Sequence, residues 1–159
     1  MGAEEKRRFC FPASVPPFIL TKNITVPNYI VAVAAIIVRD GKVLAMRRAA
    51  DKDAGAGLWE TLSGRVELGE EPLDAVRLEI AEECGLAVRL EPRPLTVYHA
   101  KRNDEPMMVI VYRAHYGSGE VVMSDEHDDF AWVTAEDFAK RSTLAKLVNA
   151  VEQAFSDPY

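Results

Sequence analysis

Residues 64–86 read GRVELGEEPLDAVRLEIAEECGL. Pro72 and Gly85 bracket the second half of this stretch. Proline suits a first helical turn, and glycine is a natural C-terminal stop. The spacing therefore predicts a helix over 72–84. On its wheel Leu73, Val76, Ile80 and Cys84 form one apolar stripe, which would dock on a sheet. Glu79, Glu82 and Glu83 stand at i, i+3 and i+4, about a quarter turn away, at the edge of the core. Like charges so placed repel each other. Partly desolvated carboxylates in a group are costly unless a cation neutralises them.

An acidic triplet on a helix is ordinarily a solvated face. The residues upstream point elsewhere. Gly64 and Gly69 permit tight turns and close backbone approach, and Glu70 adds a fourth carboxylate just before the helix. Gly64 can present its carbonyl where no side chain blocks it. A loop that brings Gly and Glu to the base of a Glu-rich helix makes a cradle of hard oxygen ligands. Such a cradle suits Mg²⁺ or Mn²⁺. Waters held by such ions can act as nucleophiles or meet phosphate oxygens.

The stretch resembles the Nudix box, G-x5-E-x7-R-E-U-x-E-E-x-G-U, where U is apolar. Here it runs Gly64, five residues, Glu70, seven residues, Leu78, then Glu79 to Leu86, and every fixed position agrees except one. Six of the matched positions demand a single residue type of roughly 7% frequency, so chance agreement at one start point is on the order of one in ten million. The resemblance implies an α/β fold of the Nudix type: an α/β/α sandwich with a mixed sheet and a loop–helix–loop metal site. That domain would span 29–159, behind an irregular Pro-rich arm over 1–28. The resemblance also implies Mg²⁺-dependent (or Mn²⁺-dependent) hydrolysis of a phosphoanhydride bond in a nucleoside diphosphate linked to another group.

Carried over by position, Gly64 would supply a carbonyl ligand. Glu79, Glu82 and Glu83 would be side-chain metal ligands, with Glu79 and Glu82 in the catalytic set, and Glu70 would support the helix. Family members often add an acidic residue from a downstream loop as ligand or general base. Glu126, in SDEHDDFAWV, stands where that residue is expected; an exposed acidic loop is the other reading of the same stretch. Arg47 and Arg48 end a strand near the expected site. Arg47 is the substrate-contact candidate, against a solubilising pair of arginines.

The single departure is Leu78, where the box has Arg. An Arg there is an i, i+4 neighbour of Glu82 and can offset the repulsion among the carboxylates. Leucine cannot. Arg77 is rotated by roughly 100° on a regular helix and would face Asp74 and Ala81 instead. Slower chemistry is the expected consequence. The alternative is a Nudix-fold nucleotide-binding or regulatory module with weak or lost catalysis. Upstream, WETLSG stands where the family often has Trp, two residues, then Pro-Gly-Gly. Trp59 is expected in the core rather than as a substrate platform.

The remaining chain fits one domain of 159 residues with 48% hydrophobic and 28% charged residues. A net charge of −6 speaks against a nucleic-acid-binding domain. It is compatible with a phosphorylated small molecule, because a metal ion reverses the local sign. Cys10 and Cys84 form no zinc or disulfide pattern. The N-terminus lacks a signal-peptide core, Lys6 disfavours myristoylation, and the apolar run 29–38 is too short to cross a bilayer. A cytoplasmic protein without membrane contact is expected, acting on a nucleoside triphosphate or similar small nucleotide, with a homodimer through the Pro-rich arm.

YIVAVAAIIV (29–38) reads as a buried strand, Asp40-Gly41 as a hairpin turn and 43–48 as its partner. Residues 86–99 and 107–116 read as two further strands, and FAWV (130–133) as a short one after an acidic loop at 124–129. Thr134 with Asp137 resembles a capping box, and Leu144, Leu147, Val148, Val151 and Phe155 mark a last helix. His99 and His115 are expected to be structural or surface residues.

Overall fold

The computed structural model describes residues 28–156. The proposed N-terminal arm and its dimer contact thus fall almost wholly outside the described residues. Within them the strands are β1 (Ile30–Arg39), β2 (Lys42–Arg48), β3 (Trp59–Glu60), β4 (Leu62–Arg65), β5 (Ala87–Arg102), β6 (Glu105–Ser118) and β7 (His127–Val133). The helices are α1 (Pro72–Glu83), α2 (Ala135–Arg141) and α3 (Ala145–Ser156). The strands make one mixed sheet in the order β3-β2-β1-β6-β5, with β4 on β1 and β7 on β2. Only the β1–β6 pairing is parallel among β1's contacts.

Strand β1 sits at the centre because both its faces are apolar. Val33, Ala35 and Ile37 pack with Val76 and Ile80 of α1. Ala32, Ala34 and Ile36 pack on the other side with Phe138, Leu147 and Val151 of α2 and α3. Each fully buried side chain of the Ile or Phe class contributes roughly 1.5–3 kcal/mol. The result is a layer of helix on each face of the sheet.

The expected Asp-Gly turn is present, with positive φ at Asp40 (47°) and Gly41 (74°). That geometry matches the right-handed twist of a hairpin. The pairing lasts only beside the turn, at Arg39↔Lys42 and Val38↔Val43. Further along, β1 takes β4 as partner while β2 takes β3 and β7. The other hairpin turns at Asn103 and Asp104, again with positive φ, and its strands are longer than expected. Strand β5 survives Pro92 and Pro94 as an edge strand because its register shifts around them.

Strand β7 begins at His127, inside the stretch expected to be an acidic loop. Aspartate is a poor strand former, but Asp128 and Asp129 are tied to Arg47 on the neighbouring strand at 2.6 and 3.8 Å. Tertiary pairing overrides local preference here. Thr134 caps α2 as expected, its side chain accepting from the Asp137 N–H at 3.2 Å. Among the described residues no helix is long and apolar enough to cross a membrane.

Candidate functional site

Strand β4 and helix α1 are joined by the turn at 66–71, and this unit carries the expected metal-ligating residues. Glu70 closes the turn: its carboxylate accepts the Glu67 N–H at 3.1 Å, and its own N–H donates to the Glu67 carbonyl at 3.0 Å. Pro72 then opens α1, with no side-chain cap at Glu71. Gly64 pairs with Val33 on the α1 side of the sheet. A β-carbon on Gly64 would overlap the Glu79 carboxyl group, so only glycine leaves room for it. The Glu79 side chain lies across the strand.

The three helix glutamates are not equivalent. Glu82 is exposed, Glu79 is half-buried and Glu83 is 4% exposed. Glu83 goes deeper than an edge-of-core position, and it accepts one bond, from the Ser63 N–H at 3.2 Å. Burial, then the charges of Glu79 and Glu60, pushes Glu83 up to about 8. The Ser63 N–H pulls the other way and is outweighed. Glu79 is also raised, first by burial and then by Glu82, Glu70 and Glu126. Among the described residues, no three His, Cys, Asp or Glu side chains converge closely enough to hold an ion as they stand. Their charges nonetheless share one field.

Glu126 reaches that field from the far end of the sequence. The segment before it docks on the C-terminus of α1, where Val122 N–H donates to the Cys84 carbonyl and Ser124 N–H to the Glu83 carbonyl. Ala49 N–H donates to the Glu126 carbonyl at 2.9 Å, fixing the other side. The Glu126 carboxylate meets Arg48 at 3.2 Å and Lys52 at 3.0 Å. The latter contact, more than burial opposes it, raises the Lys52 ammonium above its ordinary value.

Beside these carboxylates opens a cleft of about 760 Å³. Its floor is Ala32 and Ala34 of β1, and its walls include Tyr98, Met107 and the start of α3. The depth follows from the two alanines, since larger side chains there would fill it. Ser63, Gly64, Glu60 and Arg48 border it on the carboxylate side. Burial, then the Glu60 charge, pushes Tyr98 up to about 12, so its hydroxyl keeps its proton.

Several residues fall differently from the sequence reading. Arg47 is not among the residues lining the cleft, and its guanidinium bonds Asp128. Arg48, its neighbour, lines the cleft and touches both Glu60 and Glu126. His99 is exposed and bonds the Tyr29 hydroxyl, as a structural or surface residue would, and it also borders the cleft. His127 is buried and meets Glu60 at 3.2 Å. Arg77 bonds Asp74 at 2.8 Å, as its rotation on the helix predicts. Trp59 packs against the core with Arg141 over its ring. Glu60 was missed by sequence reasoning. Its signal is a charge immediately after Trp59 in a short strand, four residues before Gly64.

Comparison with known proteins bears on the family and the fold. The family model described as NUDIX domain matches residues 28–153. A MutT-like protein of Streptomyces ambofaciens is 34% identical over 132 residues, covering 80% of each chain. Nucleoside triphosphatase NudI of Escherichia fergusonii is 30% identical over 118 residues, 68% of this chain and 84% of its own. Among solved structures, the MutT NUDIX hydrolase of Burkholderia pseudomallei superposes with a TM-score of 0.67 at 35% identity, covering 79% of this chain and 98% of its own.

Proposed function

The chain belongs to the Nudix family of hydrolases, and from that premise we propose that it hydrolyses a phosphoanhydride bond of a nucleoside triphosphate or related small nucleotide with Mg²⁺ or Mn²⁺. The observation that carries the reading is Glu83: a buried carboxylate without an ion-pair partner among the described residues, beside Glu79 and bonded to Ser63, which borders the open cleft. The donors are all hard oxygens, and a bound divalent cation would relieve both burial and mutual repulsion. Gly64, Glu79, Glu82 and Glu83 would hold the ion, with Glu70 keeping the turn that presents them. When bound, the ion supplies Lewis acidity and neutralises charge on the phosphate oxygens.

The protein's own residues have distinct tasks in this reading. The cleft takes the nucleoside on its alanine floor, and Arg48 offers its guanidinium to a phosphate. Glu126 takes the proton of the attacking water. The relatives support the substrate class: the NudI name is that of a nucleoside triphosphatase. Leu78, 50% exposed on α1, favours a second reading in which catalysis is weakened.

A panel of nucleoside triphosphates, nucleotide sugars and dinucleotides incubated with Mg²⁺, with product analysis, tests the proposal. Release of pyrophosphate or phosphate from a triphosphate is the expected result. Turnover confined to nucleotide sugars would replace the substrate class. A narrower check is Ala34→Leu, which fills the cleft floor and is expected to raise KM at least tenfold while metal binding stays intact.

A further inference from the structure

Both carboxylate oxygens of Glu126 are engaged, and neither by α1. Oε2 meets Arg48 Nη2, and Oε1 meets Lys52 Nζ. The side chain cannot turn towards Glu79 and Glu83 without giving up at least one of these partners. The two cations are anchored differently. Arg48 also donates Nε–H to the Ala54 carbonyl at 2.7 Å and reaches Glu60 at 3.5 Å, so it stays in place when Glu126 leaves. Beyond Glu126, the carboxylates acting on Lys52 among the described residues are Asp125, at 3.9 Å and almost fully exposed, and the adjacent Asp51. Lysine carries a compact charge on a flexible stem and binds phosphate as a point charge. Lys52 also stands two residues before Ala54, which lines the cleft.

We propose that Lys52 is a polyphosphate-binding and positioning residue. In the ligand-free protein it holds Glu126 aside; when a nucleotide enters, Lys52 passes to a substrate phosphate and Glu126 is freed to turn towards α1. The inference rests on the reading of the cleft as a nucleotide site. No covalent bond changes in this step; one ion pair replaces another. The triphosphate outcompetes the carboxylate because it offers more negative charge to the same ammonium. The consequence is that the water-activating carboxylate is delivered only with substrate present.

Two measurements on the full chain test this. In steady-state hydrolysis of a nucleoside triphosphate, Lys52→Met is expected to raise KM about tenfold with kcat within about twofold of wild type, and Lys52→Arg to restore KM. In calorimetric titration without nucleotide, Mn²⁺ is expected to bind Lys52→Met several-fold more tightly than wild type. That gain should vanish in Lys52→Met/Glu126→Gln. An unchanged KM, or no gain in Mn²⁺ affinity, overturns the exchange. So does a gain that persists without Glu126, because Lys52 would then act through its charge alone. If the wild type hydrolyses no nucleotide, the functional reading and the exchange fail together, and the Mn²⁺ titrations still decide whether Lys52 holds Glu126 aside.

Discussion

Glu83 and Glu91 are both glutamates largely withdrawn from water, and they are held in opposite electrostatic states. Glu91 has a cation built in, Arg113 at 2.8 Å, and a second partner in the His115 ring at 2.7 Å. Burial alone would raise it, but these bonds outweigh burial and hold it below the ordinary carboxylate range. Arg113, itself buried, also donates to the Ala154 carbonyl, so the pair clamps α3 to the sheet. Glu83 is buried more deeply and accepts one backbone N–H, and its charged neighbours are other glutamates. A carboxylate that serves the fold is given its counterion by the chain. In the proposed reading, one that is buried among other carboxylates takes its counterion from solution.

The largest way to break this contrast is Glu83→Gln. It keeps the shape and removes the charge. Hydrolysis is expected to fall by at least about a hundredfold, with Mg²⁺ binding weakened and circular dichroism unchanged. Full turnover in this variant would remove Glu83 from the mechanism. The reciprocal change, Glu91→Gln, should act on stability instead. It takes a carboxylate from the buried Arg113 and is expected to cost roughly 3 kcal/mol in denaturant unfolding, with kcat little changed.

The two residues should also tilt the stability profile in opposite directions. Folded Glu83 keeps its proton up to about pH 8, whereas the unfolded chain releases it near 4.5. The metal-free protein therefore loses stability as pH rises through that interval, and Mg²⁺ should restore it by binding the ionised form. Folded Glu91 titrates below its unfolded value, so its contribution is present above the ordinary carboxylate range and lost as pH falls through the lowered one. Thermal melts from pH 3 to 9, with and without Mg²⁺, check both slopes. A shallower fall above pH 5 for Glu83→Gln is the expected control, because the raised Glu79 still contributes its own slope. The smallest effect is Leu78→Arg. A new i, i+4 partner for Glu82 should raise the rate a few-fold through better-ordered carboxylates. No change would show that Arg48 and Lys52 already supply the missing charge.

The Nudix-box stretch was legible because a fixed spacing on one helix converts directly into one face. Pro72, Gly85 and the apolar stripe could be read for the same reason, and the burial of β1 followed from its unbroken apolar run over 29–38. What escaped reading depends on long-range placement. Glu60, Arg48 and Lys52 meet the carboxylates only because β2 leaves β1 for other partners and the 120–126 segment docks on α1. The acidic stretch around Asp128 became strand because Arg47 lies opposite. Nothing local to Arg47 or Arg48 says which of the two reaches the cleft; plain alternation along β2 would group Arg47 with Val43 and Ala45 on the Ala32–Ala34 face, and the register shift between the two arginines breaks that pattern.

The alternation of β1 has an evolutionary corollary. Ala32 and Ala34 set the volume available to a guest, while Val33 between them backs the Gly64 strand on the reverse side. If the cleft takes the nucleotide as proposed, point changes at the two alanines resize its chamber from the face opposite the carboxylates. Selectivity and reactivity would then be adjustable by alternate letters of a single strand.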